Sequence, residues 1–267
     1  MVIRQMSQDD FSEIKDPRLP RGYLSSSQIS KYLLCPNDYR LTYVEGRSWT
    51  GNEKTVLGSV VHKLIEVGLT LYKNTGRIPS IEEVLDLSSG IVNEEYSNAS
   101  EAESFLPEKG VDFIVDMSQK SYTTWYKVRM PQIVPLAIEK EVLGTINNIP
   151  IRGYIDYIDG SGEGPTVVDL KVGAKKRETS TSIQLGLYGL LEGIDRVAYD
   201  TILQPTKTLP HRHVFSRTTY GEKYKEHIAR IISGVYKGIT SGFFPHCLPD
   251  NWNCQSKFCS NYQECRG

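Results

Sequence analysis

Apolar positions along this chain change their period twice. Val56, Val60, Leu64 and Val67 share one stripe at helical spacing and predict a helix from Thr55 to Leu71. Ahead of it, Ser25, Ser26 and Ser27 offer N-caps for a helix through Ile29, Tyr32 and Leu33, which Pro36 should bend or end just after Cys35. Ser80 with Glu83 forms a capping-box pattern for a third, acidic helix ending near Tyr96, and a long helix is expected between Val111 and Met130. The text then turns to short stretches rich in β-branched residues. Val134 to Leu143, Ile149 to Ile158 and Thr166 to Lys171 read as three consecutive strands. The turn sequences Asn147-Asn148 and Asp159-Gly160-Ser161-Gly162 between them predict an antiparallel meander. Helical spacing returns at Ser182 to Leu191, strands follow at Val197 to Leu203 and His213 to Phe215, and a last helix covers Tyr220 to Thr240.

This order gives a mixed α/β class, with a central sheet assembled from the middle of the chain and flanked by helices. Residues 1–23 are polar, contain Pro17 and Pro20, and are expected to form an arm that is extended or poorly ordered. Residues 24–267 are expected as one domain with a helical insertion at about 73–130 and a cysteine-rich end at 247–265.

With 39% hydrophobic and 24% charged residues among 267, the chain can build a packed core. Its longest uncharged run, Thr179 to Leu191, is too short for a bilayer, and the early Arg4, Asp9 and Asp10 do not read as a secretory leader. No membrane association and a cytoplasmic location are therefore expected. A formal charge of −1 does not announce a nucleic-acid partner, so any phosphate site must be local. The five cysteines do not suggest a disulfide framework: Cys35 stands alone, while Cys247, Cys254, Cys259 and Cys265 crowd together. That asymmetry reads as metal ligation with one distant contributor.

The candidate chemistry centres on Asp169-Leu170-Lys171. On a strand, Asp169 and Lys171 project from one face while Val168 and Leu170 enter apolar packing on the other. If the preceding strand pairs with this one, Asp156 converges on Asp169. Two close carboxylates repel unless a cation lies between them, and oxygen ligation favours Mg²⁺ or Mn²⁺. Taken alone, Asp169 and Lys171 are more simply a surface ion pair on an edge strand. Gly58, His62 and Glu66 lie on one helical stripe, and His62 could complete a metal shell through its neutral imidazole. Gln184 and Tyr188 share a helix face one turn apart, within reach of a phosphate, a base or Lys171, or they form a polar rim. Asp159 is assigned to its turn only. Lys175, Lys176 and Arg177 form a basic cluster beside this region, and Tyr outnumbers Phe sixteen to seven, which permits base stacking.

Gly-x-x-x-His, Gly-x-x-Asp, Asp-x-Lys and Gln-x-x-x-Tyr in this order, preceded by Leu24-Ser25-Ser26-Ser27-Gln28-Ile29 and Cys35-Pro36, resemble the PD-(D/E)XK nucleases of the RecB-like branch. With the terminal cysteines they are similar to the subset carrying an iron–sulfur cluster, such as the AddB nuclease domain and CRISPR-associated RecB-like exonucleases. The resemblance implies a restriction-endonuclease-like fold. It also implies His62, Asp156, Asp169 and the Leu170 carbonyl as ligands of Mg²⁺ or Mn²⁺, Lys171 as the catalytic lysine, and Gln184 and Tyr188 as supports that contact DNA. Lys175 and Lys176 are expected to add DNA contacts. Cys35, Cys254, Cys259 and Cys265 would hold a [4Fe–4S] cluster, with a Cys₄ zinc site as the alternative and Cys247 as a spare or a replacement for Cys254. Two positions depart from the pattern. Ile155 stands where the motif's name has proline, and Cys254 and Cys259 are separated by four residues, where two is commoner.

The implied activity is metal-dependent hydrolysis of single-stranded DNA ends, alongside a helicase, recombinase or CRISPR-adaptation partner. The alternatives are a non-catalytic DNA-binding or assembly subunit and a nuclease for duplex ends or particular structures.

Overall fold

The computed structural model describes residues 1–47, 53–100 and 109–266. Six strands form one sheet, in spatial order β1 (Ile3–Gln5), β2 (Pro135–Ile146), β3 (Ile149–Asp159), β4 (Thr166–Gly173), β5 (Arg196–Leu203) and β6 (Arg212–Thr219). Neighbours run antiparallel except β4 and β5, which are parallel. Asn147 and Asn148, both at positive φ (51° and 62°), make the two-residue turn between β2 and β3. Two left-handed residues give such a turn the twist of the flanking strands, and asparagine tolerates that conformation better than most. The parallel pair needs a crossover, supplied by a helix over Ile183–Glu192 that Ser182 caps and Gly193 ends at φ 67°.

The helices preceding it are α1 (Gln8–Glu13), α2 (Ser26–Leu34), α3 (Pro36–Tyr39), α4 (Glu53–Thr75), α5 (Ile81–Leu85), α6 (Ser88–Ser100) and α7 (Gly110–Arg129); the crossover is α8, followed by α9 (Glu222–Thr240) and α10 (Tyr262–Arg266). One sheet face, with Ile151, Ile155 and Val167, packs on Ile29 of α2, Leu187 of α8 and Ile232 of α9. The other face, with Tyr157, Val168 and Leu170, packs on Val60 and Leu64 of α4 and Trp125 of α7. This is a sheet between helical layers, the expected class.

Two expectations need correction. Part of the 1–23 segment is built into the fold: Ile3 pairs with Ile146 on the β2 edge, and Phe11 and Leu19 are buried. Two apolar anchors and an edge ladder hold this segment, so its polar composition misleads. The single helix expected from Ser80 to Tyr96 is two. The capping box forms at Ser80 and Glu83, α5 ends at Asp86, and the change of direction buries both Val84 and Val92. Among the described residues one helix, α4, is long and apolar enough to cross a membrane by length and composition. Its Val56, Val60, Val61, Leu64, Ile65 and Leu69 are spent on the core.

Candidate active site and cysteine cavity

The site arises where β3 and β4 separate. Their ladder runs from Asp159 opposite Thr166 to Tyr157 opposite Val168 and stops there. Asp156 and Asp169 occupy the next rung. Beyond it β4 still pairs with β5, but its β3-facing amides need other partners. The Leu170 N–H donates to Asp156 Oδ2 at 2.5 Å. At the far end of the wedge Leu24 takes up β3's free edge: its N–H donates to the Pro150 carbonyl, and its carbonyl accepts from the Arg152 N–H.

Register adds a third acid to the row. Ile138 pairs with Tyr157 and Lys140 with Ile155, so Glu139 stands across from Asp156, at φ 44°. Side chains of β-strand residues rarely tolerate that backbone, and here the residue that adopts it lines the cleft. The cleft is lined by Gly58, His62 and Glu66 of α4, by Glu139 and by Asp156, with Lys63 and Glu95 at its rim. His62 Nδ1 lies 3.4 Å from Asp156 Oδ1, and nothing stands within 4 Å of where a Gly58 side chain would begin. Glu66 is engaged by Lys63 at 2.9 Å.

Asp169 is only 3% exposed, and its Oδ2 has the Lys171 ammonium at 2.5 Å but no well-directed hydrogen bond. Lys171 donates to Gln184 Oε1 at 3.2 Å. The pair therefore sits on an interior strand flanked by β3 and β5, which corrects the reading as a surface ion pair on an edge. Tyr188, one turn beyond Gln184, places its hydroxyl 3.3 Å from Ser26 Oγ and its ring against the backbone of Gly153. That contact explains the glycine of Gly-x-x-Asp, because a methyl there would overlap the ring. At 4% exposure the Tyr188 side chain packs within the core. Lys175 and Lys176 are exposed on the segment after β4.

The electrostatics follow from this crowding. Burial pushes the Asp169 carboxyl up; the Lys171 ammonium opposes the shift and the Asp156 carboxylate reinforces it. Burial disfavours the charged forms of His62 and Lys171, yet neighbouring carboxylates outweigh it. Asp156 and Asp169 hold the imidazole above its usual range, and Asp169 and Asp156 do the same for the lysine. Enclosure in the cleft, then Asp156 and Glu66, push Glu139 up to about 7. Sequence reasoning missed Glu139. The two-residue turn at Asn147-Asn148 fixes the β2–β3 register and could have revealed it.

Behind the site lies a buried network. Asp200 accepts from Trp125 Nε1 (2.8 Å) and the Tyr157 hydroxyl (2.6 Å) and contacts His213, while Arg129 bridges Asp200 (3.4 Å) and Asp159 (3.0 Å). Asp159 thus keeps its turn, accepting from the Ser161 N–H, and anchors a core arginine as well.

All five cysteines line one cavity between the start of α3 and the C-terminal segment, with His246, Asn37 and Asp38. Cys247, expected as a spare, is within this group: burial and the Cys35 and Cys254 thiols push it up to about 12. Asn37 Nδ2 donates to Cys265 Sγ at 3.5 Å, and His246 Nδ1 lies 3.1 Å from the same sulfur. Asn261 to Asp38 (2.7 Å) and Arg47 to Glu264 (2.9 Å) tie the two chain regions together. Among the described residues, no three His, Cys, Asp or Glu side chains stand ready-made at metal-ligating geometry, in the cavity or in the cleft.

Comparison with known proteins places these observations. The family model for the PD-(D/E)XK nuclease superfamily matches residues 23–266. A solved structure described as "Putative exonuclease" from Eubacterium rectale superposes with a TM-score of 0.56 at 11% identity, covering 98% of this chain and 94% of that one, which shows a shared fold. A second structure, SSO0001, reaches only 0.35 at 13% identity over 89% of this chain and 96% of that one, and carries no argument. No curated protein matches.

Proposed function

This chain belongs to the PD-(D/E)XK nuclease superfamily, and from that premise we propose a divalent-cation-dependent deoxyribonuclease that degrades single-stranded DNA from its ends. The observation that carries the proposal is the rung beyond the β3–β4 ladder, where Asp156 and Asp169 meet with Lys171 alongside and His62 above. Two carboxylates, an imidazole and the Leu170 carbonyl make an oxygen-rich donor set of the kind Mg²⁺ or Mn²⁺ accepts, and the buried Asp169 Oδ2 faces the Lys171 ammonium without a well-directed hydrogen bond. A cation bound there would supply a water of lowered pKa and neutralise phosphoryl charge. His62 would release its proton on ligation. Lys171, kept cationic by Asp169, is positioned by Gln184 to stabilise charge developing on the phosphoryl oxygens.

Preference for single-stranded ends rests on the sequence resemblance and on the description of the structural neighbour as an exonuclease. The proposal extends to recombination, repair or CRISPR adaptation beside a helicase or recombinase. In the second cavity, thiols are soft donors suited to a [4Fe–4S] cluster, with zinc as the competitor. A cluster there would fasten α3 to the C-terminal segment across the domain.

The test is incubation with Mn²⁺ of end-labelled linear and of circular single-stranded DNA. Loss of the linear strand with the circle intact is expected. Cutting of the circle would refute the exonuclease reading, and survival of both would refute the nuclease.

A further inference from the structure

A groove outside the acidic cleft has no role in the chemistry above. Leu57 of α4, Phe113 and Met117 of α7, Val172 at the end of β4, and Ala174 and Pro205 beyond the strands line it, and the groove with the solvent at its mouth spans about 1120 Å³. Phe113, Met117 and Val172 are half-buried, which leaves apolar surface facing the opening. Its rim is cationic. The Lys109 ammonium stands 4.4 Å from the centre of the Phe113 ring, Lys54 lies at the lip, and Lys175, Lys176 and Arg177 follow Ala174 directly. Among the described residues lining it, the acid Glu53 is engaged by the Lys109 N–H (2.5 Å) and the Gly110 N–H (3.2 Å) at the start of α7.

The groove adjoins the candidate active site: Leu57 lines the one and Gly58 the other. Val172 is the residue after Lys171 on β4, so the groove opens where the reactive strand ends. Along α4, Lys54, Gly58 and His62 follow one another at single-turn intervals, about 12 Å end to end. Gly58, between groove and cleft, carries nothing within 4 Å of its missing side chain. A path therefore runs from the acidic rung, over Gly58, into an apolar pocket with a basic rim. Its occupant must be a polyanion with flat apolar groups at short intervals. Within a duplex the base faces are covered by stacking on neighbouring pairs, so an unpaired strand is what presents such groups to a protein.

We propose that this groove receives an unstacked base of the substrate strand next to the scissile phosphate, with Phe113 and Met117 as its platform and Lys109 on the neighbouring phosphate. The assignment rests on the nuclease reading and deepens it by making recognition of unpaired DNA a property of this pocket.

The test reads binding separately from cleavage. Fluorescence anisotropy with Ca²⁺, using a labelled oligothymidylate and a blunt hairpin of equal length, compares the wild type, Phe113→Ala and Ala174→Glu. Because Ala174 is exposed, Ala174→Glu alters the groove without touching the core. Both variants should bind the single strand roughly tenfold more weakly and the hairpin unchanged, with melting temperature preserved for Ala174→Glu. An abasic site should reproduce the loss at one position near the cleaved bond and not elsewhere. Unchanged single-strand affinity in Ala174→Glu, or equal losses on both ligands, would overturn the groove assignment. A wild type that binds through the groove yet leaves DNA uncut with Mn²⁺ would overturn the nuclease reading and leave the groove standing.

Discussion

Gly153→Ala tests the link between packing and chemistry. The added methyl would overlap Tyr188 at Cε1 and lie 3.1 Å from Cζ and the hydroxyl. The ring must retreat by about 1 Å to regain ordinary contact. Tyr188 is buried in the core, so the retreat overpacks its surroundings, at a cost of about 1–3 kcal/mol. In a domain of this size that is a fall in Tm of roughly 2–10 °C. The same displacement loosens the contact with Ser26 and moves helix α8, whose Gln184 holds Lys171. Misplacing a catalytic group by about 1 Å can lower the rate on the order of 100-fold. Thermal denaturation and single-turnover cleavage with Mn²⁺ measure the two effects. For thermal stability alone Gly58→Ala is the control: its methyl meets open space among the described residues within a helix, and it should gain about 0.5–1 kcal/mol. If Gly153→Ala melted and cut like the wild type, the proposed coupling from Tyr188 through Gln184 to Lys171 would be wrong.

Other outcomes follow from the buried polar groups and the cysteines. Arg129→Met leaves Asp159 and Asp200 buried without their shared cation and should cost about 3–5 kcal/mol in urea unfolding; a loss below about 1 kcal/mol would contradict the account. The Arg18 guanidinium, aided by the Tyr236 hydroxyl, holds Asp16 below the usual carboxylate range. A depressed carboxyl contributes stability above its unfolded pKa that is lost as pH falls, so Asp16→Asn should lower Tm at pH 7 and the gap should close below about pH 4. A gap that widened in acid would reverse the assignment. Protein purified without oxygen should carry about four iron atoms per chain, and Cys35→Ser should lose them together with thermal stability. Zinc in place of iron would make the cavity a zinc site, and metal-free protein of full stability would remove its structural role.

Local signals carried much of the fold. The Asn147-Asn148 turn, the Ser80–Glu83 capping box and the Ser182 cap fold as their chemistry dictates, since each depends on neighbours a few residues away. What stayed hidden depended on distant partners. β1 is three residues long and owes its pairing to β2. The interior position of Asp169 and Lys171 depends on β5 reaching the far side of β4 through a crossover, which the tripeptide does not encode. Trp125, Arg129, Tyr157, Asp159, Asp200 and His213 come from four elements and share no local pattern, so their network could only be seen folded. Glu139 lies between these extremes: its register was derivable, but Glu-Lys-Glu on a strand reads as a solvated face.

The most direct test of the central claim is cleavage of end-labelled single-stranded DNA by the wild type and Asp169→Asn, with Mn²⁺ and with EDTA. The substitution keeps the shape of a buried side chain while removing the charge that would hold the cation. Degradation by the wild type in Mn²⁺ alone, with Asp169→Asn folded and inactive, is the predicted result. Equal cutting by both proteins, or cutting that persists in EDTA, would contradict a cation-dependent site on this rung.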